Sequence, residues 1–359
     1  MSTANSPWGS EGLVAYGVVM SLILTTGLTG NILTIIVLMR REHRSKVITP
    51  FMINVAVLDL IIIALGYPVA IIANFTGIRM KEGDSRCQWT AFLNGATGIA
   101  AIITLTAMSI VMRNTITHPI VKKRLSCKYL FGSLCAIWTY GILTMLPPLV
   151  GWSKFVPGAA KVSCGPDWET QNASTLSYNI VLLIVGFVIP VGIILPCYFH
   201  IFRFLRSQPV PPAFISITSQ RRRAHLRIAR MILVSIISFV ISWSPYCVVS
   251  VIAMVQRAPA LSQGFAEIPE LMAKASVVYN PLVFTVMNRG FRRSLCRIVP
   301  CLGCSVGNGI SRRYTWLGMK DLADRSSVIS NVAVQADPTG RAMPSGVLHK
   351  ALSIDGATP

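Results

Sequence analysis

Two residues of opposite charge, Glu270 and Lys274, stand four positions apart in a stretch, 268–288, that is otherwise free of charged side chains. Four residues is one helical turn, so both lie on one face within reach of each other. Two readings fit such a pair. The first is a buried ion pair that fixes helix position. The second is a reactive amine: burial disfavours the ammonium, and a neutral lysine condenses with an aldehyde to a Schiff base. A third isolated charge, Asp59, interrupts the uncharged interval 47–78. It fits a polar node that hydrogen-bonds other helices, or a monovalent-cation site.

The elements that must carry these charges are apolar. Of 359 residues, 53% are hydrophobic and 13% charged, with mean hydropathy +0.59; soluble domains carry about 25% charged residues. The net charge of +20 suggests a basic partner surface. Nucleic-acid binding is nevertheless a poor fit, because such proteins set their basic patches among other charged and polar residues. The apolar content excludes a disordered chain. The 26 glycines have no triplet period, and 9 cysteines in so long a chain do not make a disulfide-stapled scaffold.

Intervals without charges run 12–39, 47–78 (but for Asp59), 87–112, 129–153, 170–202, 231–256 and 268–288 (but for Glu270 and Lys274). Each can hold the ~20 residues needed to cross ~30 Å of hydrocarbon as a helix, and strands there would leave backbone groups unsatisfied. The expected fold is therefore all-α, a seven-transmembrane helix bundle embedded in a lipid bilayer. Of the 33 Lys and Arg, 26 fall in 40–46, 113–128, 203–230 and from 289 onward, and 6 in the opposite segments. The positive side faces the cytoplasm, so the N-terminus is expected outside and the C-terminus inside a plasma membrane. No cleavable signal peptide is expected, since the opening residues lack a basic region. Residues 1–12 read as an extracellular N-terminus, 13–302 as the bundle, and 303–359 as a disordered cytoplasmic tail. There is no internal repeat of the transporter kind.

At bilayer depth a charge costs about 3 kcal/mol or more, so Asp59, Glu270 and Lys274 are functional candidates. The residues around them resemble rhodopsin-like G-protein-coupled receptors. The resemblance rests on Gly30-Asn31, Asn54 with Asp59, Trp138, Pro190 with Tyr198, Trp243-Ser244-Pro245-Tyr246, and Asn280-Pro281. Two longer stretches, Pro147 to Ser153 leading to Ser163-Cys164-Gly165-Pro166-Asp167, and Ala273-Lys274-Ala275 through Pro281, narrow it to animal opsins. An amine-receptor reading fails, since Asn94 holds the position of that group's aspartate.

The resemblance implies a receptor rather than an enzyme, with 11-cis-retinal bound as a Schiff base to Lys274. It implies a pocket of Gly95, Gly98, Trp168, Phe187, Trp243 and Tyr246, and a disulfide between Cys87 and Cys164, both on the oxidising side where a bridge persists. Implied partners are a heterotrimeric G protein, arrestin and a receptor kinase; no nucleic acid is implied. Phe291-Arg292-Arg293 resembles a short amphipathic eighth helix, followed by the palmitoylation candidates Cys301 and Cys304. Asn172-Ala173-Ser174 is a glycosylation sequon.

The sequence also departs from that family. The two positions that usually supply a carboxylate against the Schiff base are Thr90 and Gly158 here. Three solutions remain open: Glu270 supplies the charge, a chloride does so with Thr90 and Ser163 as hydroxyl ligands, or the Schiff base is neutral and absorbs in the ultraviolet. Asp167 is expected to pair with Lys154. Met112 replaces the third-helix arginine, with Arg113 next to it; Phe284 replaces a tyrosine after Asn280-Pro281; His225 replaces a glutamate. These changes weaken the family's switch and favour, as the alternative function, a retinal photoisomerase with little or no G-protein signalling.

Overall fold

A computed structural model describes residues 10–299, except 45, 118–125, 159, 208–216 and 257–266. The tail, including Cys301 and Cys304, lies outside the described residues. The helices are α1 (Ser10–Leu38), α2 (Arg41–Arg44), α3 (Thr49–Leu65), α4 (Tyr67–Thr76), α5 (Ser85–Thr117), α6 (Cys127–Met145), α7 (Ala173–Leu183), α8 (Ile189–Ser207), α9 (Ile217–Gln256), α10 (Glu267–Lys274), α11 (Ser276–Met287) and α12 (Arg289–Ile298). A two-stranded antiparallel hairpin, β1 (Phe155–Pro157) and β2 (Cys164–Pro166), interrupts them.

These helices form a seven-helix bundle. Five elements among the described residues are long and apolar enough to cross a membrane by length and composition: α1, α3 with α4, α5, α7 with α8, and most of α9. The fourth and seventh members, α6 and α10 with α11, miss that mark. In α6, Lys128 and the Ser, Thr, Tyr and Trp residues dilute the apolar content, and the last member is broken after Lys274 and carries Glu267, Glu270 and Lys274 in its first part. Large apolar side chains such as Leu22, Phe131, Leu195 and Val255 point outward, which suits a lipid-facing perimeter.

The breaks in the second and fourth members have a local cause. Pro68 cannot donate a backbone hydrogen bond, and the second member pauses at Gly66 between α3 and α4. Pro147 and Pro148 end the fourth in a short 3₁₀ turn. Between α7 and α8, residues Ile184–Val188 form a π turn, a local underwinding that recurs at functional sites.

Buried polar residues tie the members together. The Trp138 indole donates to Asn54 Oδ1 at 2.9 Å, and the Asn54 amide donates to Thr104 Oγ1 at 2.9 Å. The Asn31 amide donates to the carbonyls of Gly27 and Val277 at 2.9 and 3.0 Å, joining α1 to α11. A Cβ on Gly30 would meet the Pro281 ring at 2.9 Å, so glycine there permits the close approach of the same two helices. Asn280 donates to Asp59 Oδ2 at 3.4 Å. Asp59 is thus held in a polar node, as one of its two sequence readings has it.

The α12 end of the bundle is closed by α12 itself. Its cap is Asn288, which accepts from Phe291 N–H at 3.1 Å, and it buries Phe291, Ser294 and Leu295. On its other side, the His43 ring lies 3.0 Å from Ser294 Oγ, and Arg297 pairs with Glu42 at 2.9 Å. The arrangement agrees with the expected amphipathic eighth helix.

Candidate functional site

A cavity lies inside the hairpin end of the bundle. All six residues expected around an apolar ligand line it: Gly95, Gly98, Trp168, Phe187, Trp243 and Tyr246, together with Glu270 and Lys274. Asn94 also lines it, and Asp59 and Asn280 continue the lining towards the other end. Gly186 and Phe187 reach the cavity from the π turn, and Cys164, Gly165 and Pro166 of β2 cover it. A disulfide between Cys87 at the start of α5 and Cys164 pins that strand in place.

Aromatic rings form a continuous wall. Phe239 stacks on Trp243 at 5.6 Å, Trp243 meets Tyr246 edge-on at 6.2 Å, and Tyr246 meets Trp168 edge-on at 6.2 Å. The Trp168 indole donates to the Tyr246 hydroxyl at 2.9 Å, spending that polar tip within the wall. A Cβ on Gly98 would lie 3.0 Å from the Trp243 ring, and one on Gly95 would collide with Met145. Glycine at both positions therefore lets Met145 and the Trp243 ring pack close to α5. Large apolar walls with a few fixed polar groups suit a long hydrophobic ligand.

Lys274 closes the cavity at one side and is 6% exposed. Its Nζ lies 2.7 Å from Glu270 Oε1 and donates to the Tyr16 hydroxyl at 3.3 Å. The backbone at this lysine is also unusual. The helix breaks at Ala275, where Val278 N–H turns to the Ala275 carbonyl. The Lys274 carbonyl instead accepts from the Tyr67 hydroxyl at 2.7 Å. A buried carbonyl needs such a partner, and Tyr67 supplies it from the second bundle member.

The two hydroxyls considered for anion binding are placed differently. Thr90 donates back into its own helix, to the Arg86 and Cys87 carbonyls at 2.9 and 3.2 Å. Ser163 donates to Glu270 Oε2 at 2.6 Å and so joins the charge cluster. Asp167 Oδ1 accepts from the backbone of Glu169 and Thr170. Lys154 pairs with the expected Asp167 at 3.9 Å and also bonds Glu82, more closely, at 2.6 Å. That pairing lifts Lys154 above the ordinary ammonium range.

Sequence reasoning passed over three residues of this site. Tyr16 and Met145 carry no pattern that distinguishes them from other bundle residues. Glu267 does carry one: with Glu270 and Lys274 it completes a three-and-four spacing on one face. It stands one residue outside the charge-free interval 268–288, yet it is 1% exposed.

Met112, Arg113, Tyr198 and Phe284, expected to belong to a switch, lie towards the α12 end. Met112 is buried in the apolar core there, and Phe284 packs edge-on against Phe291 at 6.2 Å. Among the described residues, Arg113 Nε is buried without a hydrogen-bond partner. The Tyr198 hydroxyl donates to the Ala229 carbonyl at 3.1 Å, bridging α8 to α9. Asn172 is exposed and caps α7, accepting from Thr175 N–H at 2.7 Å.

Comparison with known proteins places this geometry in context. Residues 30–284 match the model of the 7 transmembrane receptor (rhodopsin family). Human melanopsin is 30% identical over 316 residues, which is 83% of this chain and 64% of that protein, so the chain spans just under two thirds of that relative's length. A Gq-coupled rhodopsin of Mizuhopecten yessoensis is 30% identical over 88% of this chain and 67% of its own length. Among solved structures, squid rhodopsin superposes with a TM-score of 0.73 over 83% of both chains at 24% identity.

Proposed function

Because the chain belongs to the rhodopsin family of seven-transmembrane receptors, we propose that it is an opsin: a light-sensing receptor that binds retinal as a Schiff base to Lys274. The observation that carries this reading is the buried Lys274 amine, set in the wall of an aromatic-lined cavity and 2.7 Å from one carboxylate. Condensation of that amine with the aldehyde releases water and leaves an imine nitrogen where Nζ now stands. Once protonated, the imine keeps the positive charge that Glu270 faces. Glu270 is accordingly the counterion. A chloride beside Ser163 and a neutral Schiff base are the other two outcomes of its test, and halide exchange during the spectrum separates the first of them.

Trp243, stacked on Phe239 and edge-on to Tyr246 in a helix that contains Pro245, is the contact that senses a change of polyene shape. Isomerisation from the 11-cis form then shifts the bundle between two arrangements. The open arrangement binds a heterotrimeric G protein at the α12 end; the name of the Mizuhopecten relative makes the Gq class the first to test. Arrestin and a receptor kinase would engage the same face. The asymmetry of Lys and Arg sets this end in the cytoplasm of the plasma membrane and the hairpin end outside.

One observation favours a second reading, a retinal photoisomerase. Met112 buries an apolar side chain where the family keeps a switch arginine. Light-dependent second-messenger responses in transfected cells support the receptor; stereospecific release of isomerised retinal without such a response supports the photoisomerase.

A further inference from the structure

The loop across the cavity carries glycine at position 158, and another helix fills the space a side chain would take there. A Cβ on Gly158 would lie 2.9 Å from Glu267 Oε1. That same oxygen accepts from Ala160 N–H at 2.7 Å. The other, Oε2, lies 3.4 Å from Ser163 Oγ, and the Ser163 hydroxyl donates to Glu270 Oε2 at 2.6 Å. One hydroxyl therefore touches both carboxylates, while Glu270 Oε1 holds the Lys274 ammonium.

The site holds two acids and one base. Among the described residues, Lys274 is the only cation within ion-pair distance of either carboxylate. Tyr16 of α1 meets the ammonium, Tyr67 of α4 is spent on the Lys274 carbonyl, and Tyr246 of α9 accepts from Trp168. In the loops, Arg79 donates to the Ala160 carbonyl at 3.2 Å, and Lys161 is exposed. Neighbouring buried carboxylates do not both ionise against a single cation. Glu270 touches the ammonium and takes the charge, which leaves the proton on Glu267.

We propose that Glu267 and Glu270 form a proton-sharing pair bridged by Ser163, in which Glu267 stands in the space beside Gly158 and serves as the reserve counterion of the Lys274 cation. Its reserve role rests on the retinal-binding reading above; the pairing itself does not. Exchange is balanced through the bridge. Ser163 gives its proton to Glu270 as it takes the proton of Glu267, so the negative charge moves from one carboxylate to the other with no net change.

The test has two arms. In the first, the full chain and the variants Glu267→Gln, Glu270→Gln and the double Glu267→Gln/Glu270→Gln are reconstituted with 11-cis-retinal, and Schiff-base protonation is titrated by absorbance. The proposal predicts that the double variant loses at least a further tenfold in proton affinity relative to Glu270→Gln alone. It also predicts that Gly158→Glu combined with Glu267→Ala and Glu270→Gln restores that loss, since truncation at 267 vacates the space and a carboxylate returns to it. A double variant that titrates like Glu270→Gln overturns it. The second arm needs no chromophore: infrared spectra of the purified apoprotein should show a carboxylic-acid carbonyl band that disappears in Glu267→Gln. An unchanged band overturns the pair. Failure of the unmodified chain to form pigment would count against retinal binding alone, and the infrared arm would still decide the pairing.

Discussion

The Tyr67 hydroxyl donates a 2.7 Å hydrogen bond to the backbone carbonyl of Lys274, at the point where the seventh helix breaks. Removing that hydroxyl strands a buried acceptor, which costs about 1–3 kcal/mol. Tyr67→Phe should therefore lower the unfolding temperature of the detergent-solubilised protein while leaving the Glu270–Lys274 contact in place. A melting temperature equal to that of the unmodified chain would show that the broken turn finds another donor.

Glu270 should govern the protonation of the Schiff base. An opposite charge at ~4 Å is worth about 4 kcal/mol at an effective dielectric of 20, which corresponds to about 3 pH units. Glu270→Gln should move the titration of the protonated pigment towards acid by about that amount, less whatever a reserve carboxylate returns. An unshifted titration would remove Glu270 as the dark-state counterion.

The cavity depends on two absent side chains. Gly98→Val should place methyl groups against the Trp243 ring, already 3.0 Å from a bare Cβ, and overpacking of this kind costs about 1–3 kcal/mol. Pigment yield with retinal should fall steeply in Gly98→Val and less in Gly98→Ala, measured at matched expression.

Acid should loosen the α12 end. His43 is buried beside Lys46 and Ser294, and burial, with the Lys46 charge second, holds its ring below the usual histidine range. The unfolded ring titrates near pH 6.5, so the unfolded state binds the proton first. The contribution of this contact to stability is full above that pH and declines as the pH falls below it towards the folded value. Thermal unfolding across this window should show a loss in the unmodified chain that is smaller in His43→Gln.

Much of this arrangement was legible in the sequence because charge is so costly in a membrane. Charge-free intervals located all seven bundle members, and the exception of Lys274 marked the cavity. The limits were less legible where a backbone effect overrides composition. The interval 129–153 runs past the helix, because Pro147 and Pro148 turn the chain before the next charge. In the opposite direction, α9 continues back to Ile217, well before the charge-free interval that begins at 231, since arginine-rich segments are good helix formers outside the hydrocarbon. The break at Ala275 has no proline or glycine beside it, and the carbonyl it leaves is met by a hydroxyl from another bundle member. Glu267 escaped for a related reason. An acidic residue at the edge of an apolar run reads as solvated, and only the folded loop shows that Gly158 leaves room for it inside.

The central claim is that Lys274 carries the chromophore. Its most direct test is the absorption spectrum of the purified chain and of Lys274→Ala after incubation with 11-cis-retinal, followed by acid denaturation to reveal any covalent imine. The account predicts a retinal-imine band that persists through denaturation in the unmodified chain and is missing from Lys274→Ala. The same band in both proteins would contradict it.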